Sequence, residues 1–288
     1  MWTHQYVQMS NQIACKKLTG GRHFRTNGPE AHLFGLEPEF GCCTANFNQG
    51  WPKLALSAFM HNGNTIINSV PVPCELNSDG IKIRTETDYP FKNSFRYFIE
   101  SDKDFTFKIR IPSFAKNLKV NGEIVSADEL SFDLRKGEKR VTDVSFDTEI
   151  LLEKRPYGLN FVSKGSLVFS VPIKAEKIMH EYEKKGVERK FPYCDYELEP
   201  ASEWSYAYAG TAFEAEEREV GEIPFSSENP PVVIKAQVRK IDWGFEKDFD
   251  SVCARLPKST VPIGEREDIS LYPYGCAKLR MTELPLTE

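Results

Sequence analysis

The residues with the most chemical potential in this sequence are two adjacent cysteines, Cys42 and Cys43, in the run Phe40-Gly41-Cys42-Cys43-Thr44-Ala45-Asn46. A thiolate is both a soft metal ligand and a strong nucleophile, so the pair suits metal binding, nucleophilic attack or redox exchange. Two sulfurs supply only half of a tetrahedral zinc shell, and no histidine or carboxylate stands at metal-finger spacing from them. From spacing alone, the plainer reading is two buried thiols acting as small hydrophobes. Glu37 and Glu39 flank Pro38 just upstream. On an extended segment that offset puts two carboxylates on one side, the pairing a glycosidase uses, but acidic surface loops look the same. His4, His23, His32, His61 and His180 are scattered, and the rings of Trp51 and Trp204 suit either a sugar face or a core. There is no phosphate-cradling glycine loop, no Gly-x-Ser-x-Gly elbow and no His-Glu-x-x-His.

These groups sit in a chain of 288 residues, enough for about two domains, with 40% hydrophobic and 27% charged residues. The net charge is −5 with acids and bases interleaved. Without a basic stripe, neither nucleic acid nor an anionic membrane is an expected partner. The first residues lack a basic region followed by an apolar one, and no run of about 18 apolar residues occurs, so neither a signal peptide nor a spanning helix is predicted. Seven cysteines, an odd number without framework spacing, argue against a disulfide scaffold. A reducing, cytoplasmic location is the expectation.

Hydrophobic periodicity changes near Asn62-Gly63. Before it, Pro52 suits a first helical turn and Leu54, Ala55, Ala58 and Phe59 share a face, which predicts a helix over Trp51–Met60 ended by Asn62-Gly63. After it come short alternating runs: Ile81–Thr85, Phe95–Ile99, Phe105–Ile111, Val141–Leu152, Ser166–Val171 and Val232–Arg239. Lys119–Val125 reads as a hairpin turning on Asn121-Gly122. The charged stretch Glu176–Lys190 reads as an exposed loop or short helix, and Lys278–Met281 as a closing strand. The pattern predicts a short helical head followed by two β modules.

Gly35-Leu36-Glu37-Pro38-Glu39-Phe40-Gly41-Cys42-Cys43-Thr44-Ala45-Asn46 resembles glycoside hydrolase family 127, the β-L-arabinofuranosidase family and its relatives. So do Trp2-Thr3-His4-Gln5-Tyr6, Asn11-Gln12, Thr26-Asn27-Gly28-Pro29, Gln49-Gly50-Trp51-Pro52-Lys53, Thr87-Asp88-Tyr89-Pro90-Phe91, Arg110-Ile111-Pro112-Ser113, Val120-Asn121-Gly122, Tyr272-Pro273-Tyr274-Gly275 and Leu279-Arg280. These stretches run through nearly the whole chain in family order, which moves the cysteine pair from two buried thiols toward a working site.

The resemblance implies a mainly β chain: the tail of an (α/α)6 barrel followed by two β-sandwich, jelly-roll-like modules. Residues 1–62 would be the barrel remnant, 63–155 a first sandwich to which 269–284 returns, and 156–268 a second. It implies retaining glycoside hydrolysis, with Cys42 as nucleophile and zinc ligand and Cys43 as zinc ligand, and places Tyr6 and His4 near the sugar. The family's acid/base glutamate and remaining zinc ligands lie upstream of the Cys-Cys motif. None of Glu30, Glu37, Glu39 or Cys15 matches them, so the half-site is expected to be incomplete here, with Zn2+ bound weakly or not at all by this chain alone. Thr44-Ala45-Asn46 departs from the Pro-Pro-Asn-like version of the arabinofuranosidases, which leaves the sugar open. The expected partners are a carbohydrate substrate and, through uncovered apolar surface at Leu54, Leu56 and Phe59, further copies in a homo-oligomer. The competing readings are a carbohydrate-binding or structural β-sandwich module without catalysis, and a small thiol redox protein.

Overall fold

The computed structural model describes residues 4–19, 23, 28–35 and 41–287. The chain divides into two compact units, one of residues 47–149 and one that joins 1–46 to 150–288. Among the described residues, no helix is long and apolar enough to cross a membrane.

In the unit 47–149, strict alternation decides the strands. Along Ile81–Thr87, Ile81, Ile83 and Thr85 point inward while Lys82 and Arg84 are exposed, as a period-two backbone requires. Two sheets result. The six-stranded one runs in the order Glu123–Ile124, Lys116–Val120, Lys139–Asp147, Ser94–Ser101, Ile81–Thr87, Cys74–Ser78. The four-stranded one runs Glu129–Leu134, Phe105–Arg110, Thr65–Asn68, Phe59–Asn62, with its second and third strands parallel. Their inner faces share one core of Ile83, Phe95, Tyr97, Phe107, Ile109 and Phe146 among others, in which Tyr97 and Phe107 meet edge-to-face at 5.3 Å. Asn121 and Gly122 both take positive φ, 51° and 87°, the twist that a two-residue hairpin turn needs.

Two helices lie around residue 47: α1 over Gly41–Phe47, nearly all of it in the other unit, and α2 over Gly50–Ala58, at the start of this one. The helix expected over Trp51–Met60 therefore stops two residues early. Phe59 and Met60 pair in register with Asn68 and Ile67, so Gly63, at φ 59°, turns a hairpin instead of ending a helix. A buried polar relay supports that changeover. Asn68 donates to the carbonyl oxygens of Ala58 at 2.9 Å and Val70 at 3.2 Å, and accepts from the Tyr97 hydroxyl at 2.7 Å. Asn68→Ala leaves the buried Tyr97 phenol without its acceptor, while the Ala58 and Val70 carbonyls keep their backbone donors, so it is expected to cost about 1–3 kcal/mol. Urea unfolding would measure this, and a loss below about 0.5 kcal/mol would refute the role given to the relay.

The second unit is organised around a long sheet whose main path is Ile150–Lys154, Leu159–Lys164, Leu167–Ile173, Arg266–Pro273, Val232–Lys240, Tyr206–Tyr208. Val162, Phe169, Ile234, Val238 and Leu271 are fully buried along it. The stretch 269–284, expected beside the first sandwich, belongs here instead. Leu271 pairs with Ile234, and Val171 with Met281. The N-terminal residues are woven into the same unit: Asn11–Gln12 pairs with Met281 and Arg280, Phe34 with Tyr196, and Cys15 bridges Leu198. The described part of the head before α1 is thus built of short strands and one 3-10 turn, Pro29–His32. Glu176–Lys190, expected as a loop or short helix, forms strands Ala175–His180, Tyr182–Lys184 and Val187–Arg189. Backbone pairing with Asp195–Pro200 and a turn at Lys185 and Gly186, both at positive φ, override the charge content.

Candidate functional site

Cys42 and Cys43 open α1, where no β-branched run or proline opposes a helix. Asn46 donates from Nδ2 to the Cys42 carbonyl at 2.7 Å, a bond between residues one helical turn apart. The Cys42 side chain is exposed, as a nucleophile or ligand must be. The side chains of Cys43 and Thr44 lie outside the described part of the structure, as do Glu37 and Glu39 altogether.

The remaining cysteines are of a different kind. Cys15, Cys194, Cys253 and Cys276 are buried and Cys74 is half-buried. Burial pushes the Cys15 and Cys253 thiols up to about 12 and Cys276 to about 11. A thiol held protonated at neutral pH is neither a good metal ligand nor a nucleophile, so these three act as packing. For Cys15 this agrees with leaving it out of the zinc shell.

His4 stands on the strand His4–Gln5, opposite Gly35 on the strand that leads toward α1. Gln5, next along, is buried and donates to the His32 carbonyl at 2.8 Å and to Cys15 Sγ at 3.3 Å. This fixes the strand, leaving His4 half-buried and Tyr6 exposed. Among the described residues, no three His, Cys, Asp or Glu side chains gather where they could hold a metal ion. Cys42 is the motif's single described donor, and one thiol is not a zinc shell. The described residues do not fit a zinc centre by themselves.

Three motif stretches that carried no assigned chemistry converge elsewhere in the same unit. Asn11 Oδ1 accepts from the backbone N–H groups of Thr282 and Glu283 at 2.9 and 2.8 Å, and its Nδ2 donates to the Glu283 carbonyl at 2.9 Å. Gln12 donates to the Lys278 carbonyl at 2.7 Å. The buried Arg280 guanidinium stacks 3.8 Å from the Tyr274 ring centroid and donates to the carbonyls of Met9, Ala277 and Lys278. Sequence reasoning missed this cluster. The available signal was the triplet Pro-Tyr-Gly, present at both 156–158 and 273–275.

Residues 69–133, inside the unit 47–149, match the model of the beta-L-arabinofuranosidase GH127 middle domain. The resemblance is to glycoside hydrolase family 127. Two solved structures share the fold at the level of the whole chain. One is Ara127N-Se, a GH127 beta-L-arabinofuranosidase from Geobacillus stearothermophilus T6. It has a TM-score of 0.50 and 14% identity, over 91% of this chain and 40% of that one. The other is a glycoside hydrolase with a TM-score of 0.50 and 16% identity, over 88% of this chain and 41% of that one. At these identities the likeness is one of fold, and the chain spans about two-fifths of the length of those two structures. No curated protein matches the chain.

Proposed function

We propose that this chain is part of a retaining glycoside hydrolase whose nucleophile is Cys42. The observation that carries the reading is the match of residues 69–133 to the GH127 middle domain; the exposed thiol of Cys42 at the start of α1 is consistent with it. The Cys42 sulfur attacks the anomeric carbon, a C–S bond forms as the C–O bond to the leaving group breaks, and an acid protonates the departing oxygen. Water then displaces the sulfur with net retention. His4 and Tyr6 are placed near the sugar, and β-L-arabinofuranosides or another plant-polysaccharide sugar are the substrate class.

On this reading zinc is held by Cys42, Cys43 and donors supplied by the rest of the enzyme, as is the acid/base glutamate. The helices α1 and α2 belong to the wall of an (α/α)6 barrel. Support for that comes from α2, where Leu56 is 80% and Trp51 72% exposed, apolar side chains on two faces that neighbouring barrel helices would cover. A second reading, a sugar-binding β module without catalysis, is in keeping with the strand-rich build of both units.

Covalent trapping tests the choice. The full-length enzyme treated with an activated 2-deoxy-2-fluoro glycoside is expected to gain one sugar mass on the peptide that contains Cys42. Turnover with no adduct, or an adduct on a carboxylate peptide, overturns the thiol nucleophile.

A further inference from the structure

We propose that the unit formed by 1–46 and 150–288 carries a binding groove for a neutral oligosaccharide, built on two Pro-Tyr-Gly turns. Its lining includes neither Cys42 nor any other residue of α1. Two cavities of about 590 and 490 Å³ share Ser10, Arg155 and Glu283 as a common wall and so form one trough. Each is in the size range of small-ligand pockets.

The two triplets flank this trough. Tyr157 of Pro156-Tyr157-Gly158 lines the smaller chamber, and Tyr274 of Pro273-Tyr274-Gly275 lines the larger. Each ring carries a guanidinium, Arg255 at 4.2 Å from the Tyr157 centroid and Arg280 at 3.8 Å from that of Tyr274. An arginine on one face orients the ring. Tyr157 remains 60% exposed, so its other face is open to solvent. In the larger chamber, a Cβ at position 275 would come within 2.7 Å of Phe225 Cδ1. Glycine there lets the Phe225 ring lie against the turn as a second apolar wall.

Turn geometry does not account for Tyr157. It sits at φ 65°, ψ 24°, left-handed backbone that favours glycine, asparagine or aspartate. The hairpin around it closes through the Arg155 N–H to the Leu159 carbonyl at 2.8 Å. An exposed aromatic ring held at a disfavoured backbone position is a feature of ligand clamps.

The polar groups select the ligand class. The charged residues that line the trough are Arg155, Arg255, Glu246 and Glu283, two of each sign, so neither an anion nor a cation is favoured. A sugar offers hydroxyls that both donate and accept, together with an apolar C–H face that stacks on an aromatic ring. Arg155 Nε pairs with Glu283 at 3.2 Å where the chambers meet. The Asn11 clamp on the backbone of residues 282–283 holds Glu283 in place before any ligand arrives. Two aromatic platforms with this pair between them fit successive rings of one chain.

Isothermal titration of the whole chain carrying Cys42→Ser tests this apart from any turnover, with cellohexaose, xylohexaose, arabinohexaose and hexagalacturonate as probes. At least one neutral hexasaccharide is expected to bind one to one, with Kd below about 1 mM. Tyr157→Gly is expected to weaken it about tenfold or more while thermal stability holds or rises, because glycine takes positive φ freely. Phe225→Ala, at an exposed position, is expected to weaken it as well. The proposal is overturned if no neutral probe binds, if hexagalacturonate binds more tightly than all of them, or if Tyr157→Gly and Phe225→Ala both bind as the parent does.

Discussion

Cys42→Ser in the full-length enzyme is expected to lower kcat on an aryl glycoside by about 10⁴-fold or more, with KM changed little. The hydroxyl that replaces the thiol has an ordinary pKa far above that of cysteine and is a much poorer nucleophile at neutral pH, so the first half-reaction fails while ground-state contacts to the sugar survive. Cys43→Ser leaves the nucleophile in place and removes only a proposed ligand. It is expected to cost less in kcat and to be partly rescued by excess zinc, which Cys42→Ser is not. Cys42 is exposed, and cysteine to serine is close to isosteric, so both variants are expected to fold, and a far-ultraviolet spectrum would check this. Near-parental turnover by Cys42→Ser would remove the thiol from the mechanism. Loss confined to Cys43→Ser would exchange the two roles.

Arg280→Leu is expected to destabilise the unit of 1–46 and 150–288 by about 3–5 kcal/mol, a large share of the stability of a typical domain. The guanidinium is 3% exposed and, among the described residues, makes no ion pair. Burial lowers its pKa and the Tyr274 hydroxyl works against that shift, but an arginine stays charged regardless. Its charge is met by carbonyl dipoles: Ala277 at 3.1 Å, Lys278 at 2.9 Å and Met9 at 3.1 Å, with the Tyr274 hydroxyl also accepting from it. Leucine fills part of the volume but leaves the Ala277 carbonyl without its donor and takes one of two donors from the carbonyls of Lys278, which keeps Gln12, and Met9, which keeps the Tyr274 hydroxyl. Among the Arg280 contacts, the one to Met9 helps tie the N-terminal segment to the last strands. The expected signature is a lower urea midpoint together with faster proteolysis within residues 4–19. Tyr274→Phe, which removes one partner and keeps the stacked ring, is expected to cost about 1 kcal/mol. An Arg280→Leu midpoint within about 0.5 kcal/mol of the parent would show that the carbonyls find other donors.

The local pattern carried most of the strands. Ile81–Thr87, Ser94–Ser101 and Phe105–Arg110 alternate apolar and polar residues, and a period of two has only one regular backbone that satisfies it. The Asn121-Gly122 turn was equally readable because few residue pairs accept positive φ twice in succession. The same logic failed at Glu176–Lys190, where an exposed ribbon hides no apolar face and leaves no periodicity to detect. It also failed at Phe59-Met60, where two apolar residues fit the end of a helix as well as the start of a strand. Cys42 was identifiable as a candidate from its motif, and His4 and Tyr6 only through family resemblance. The trough between Tyr157 and Tyr274 could not be seen as a site, since its walls come from segments more than a hundred residues apart.

By itself, the sequence determined where strands run, where hairpins turn and which thiol pair has the chemistry to matter, because periodicity, φ preference and thiol reactivity are properties of a few neighbouring residues. Only the tertiary structure decided that Asn11 clamps Glu283, that 269–284 joins the second unit, and that Cys15 is sealed and inert while Cys42 is exposed. Strand partners are chosen by the apolar surface and backbone hydrogen bonds that the whole chain can satisfy at once, set against the entropy of closing long loops, and that balance is not written at any one position.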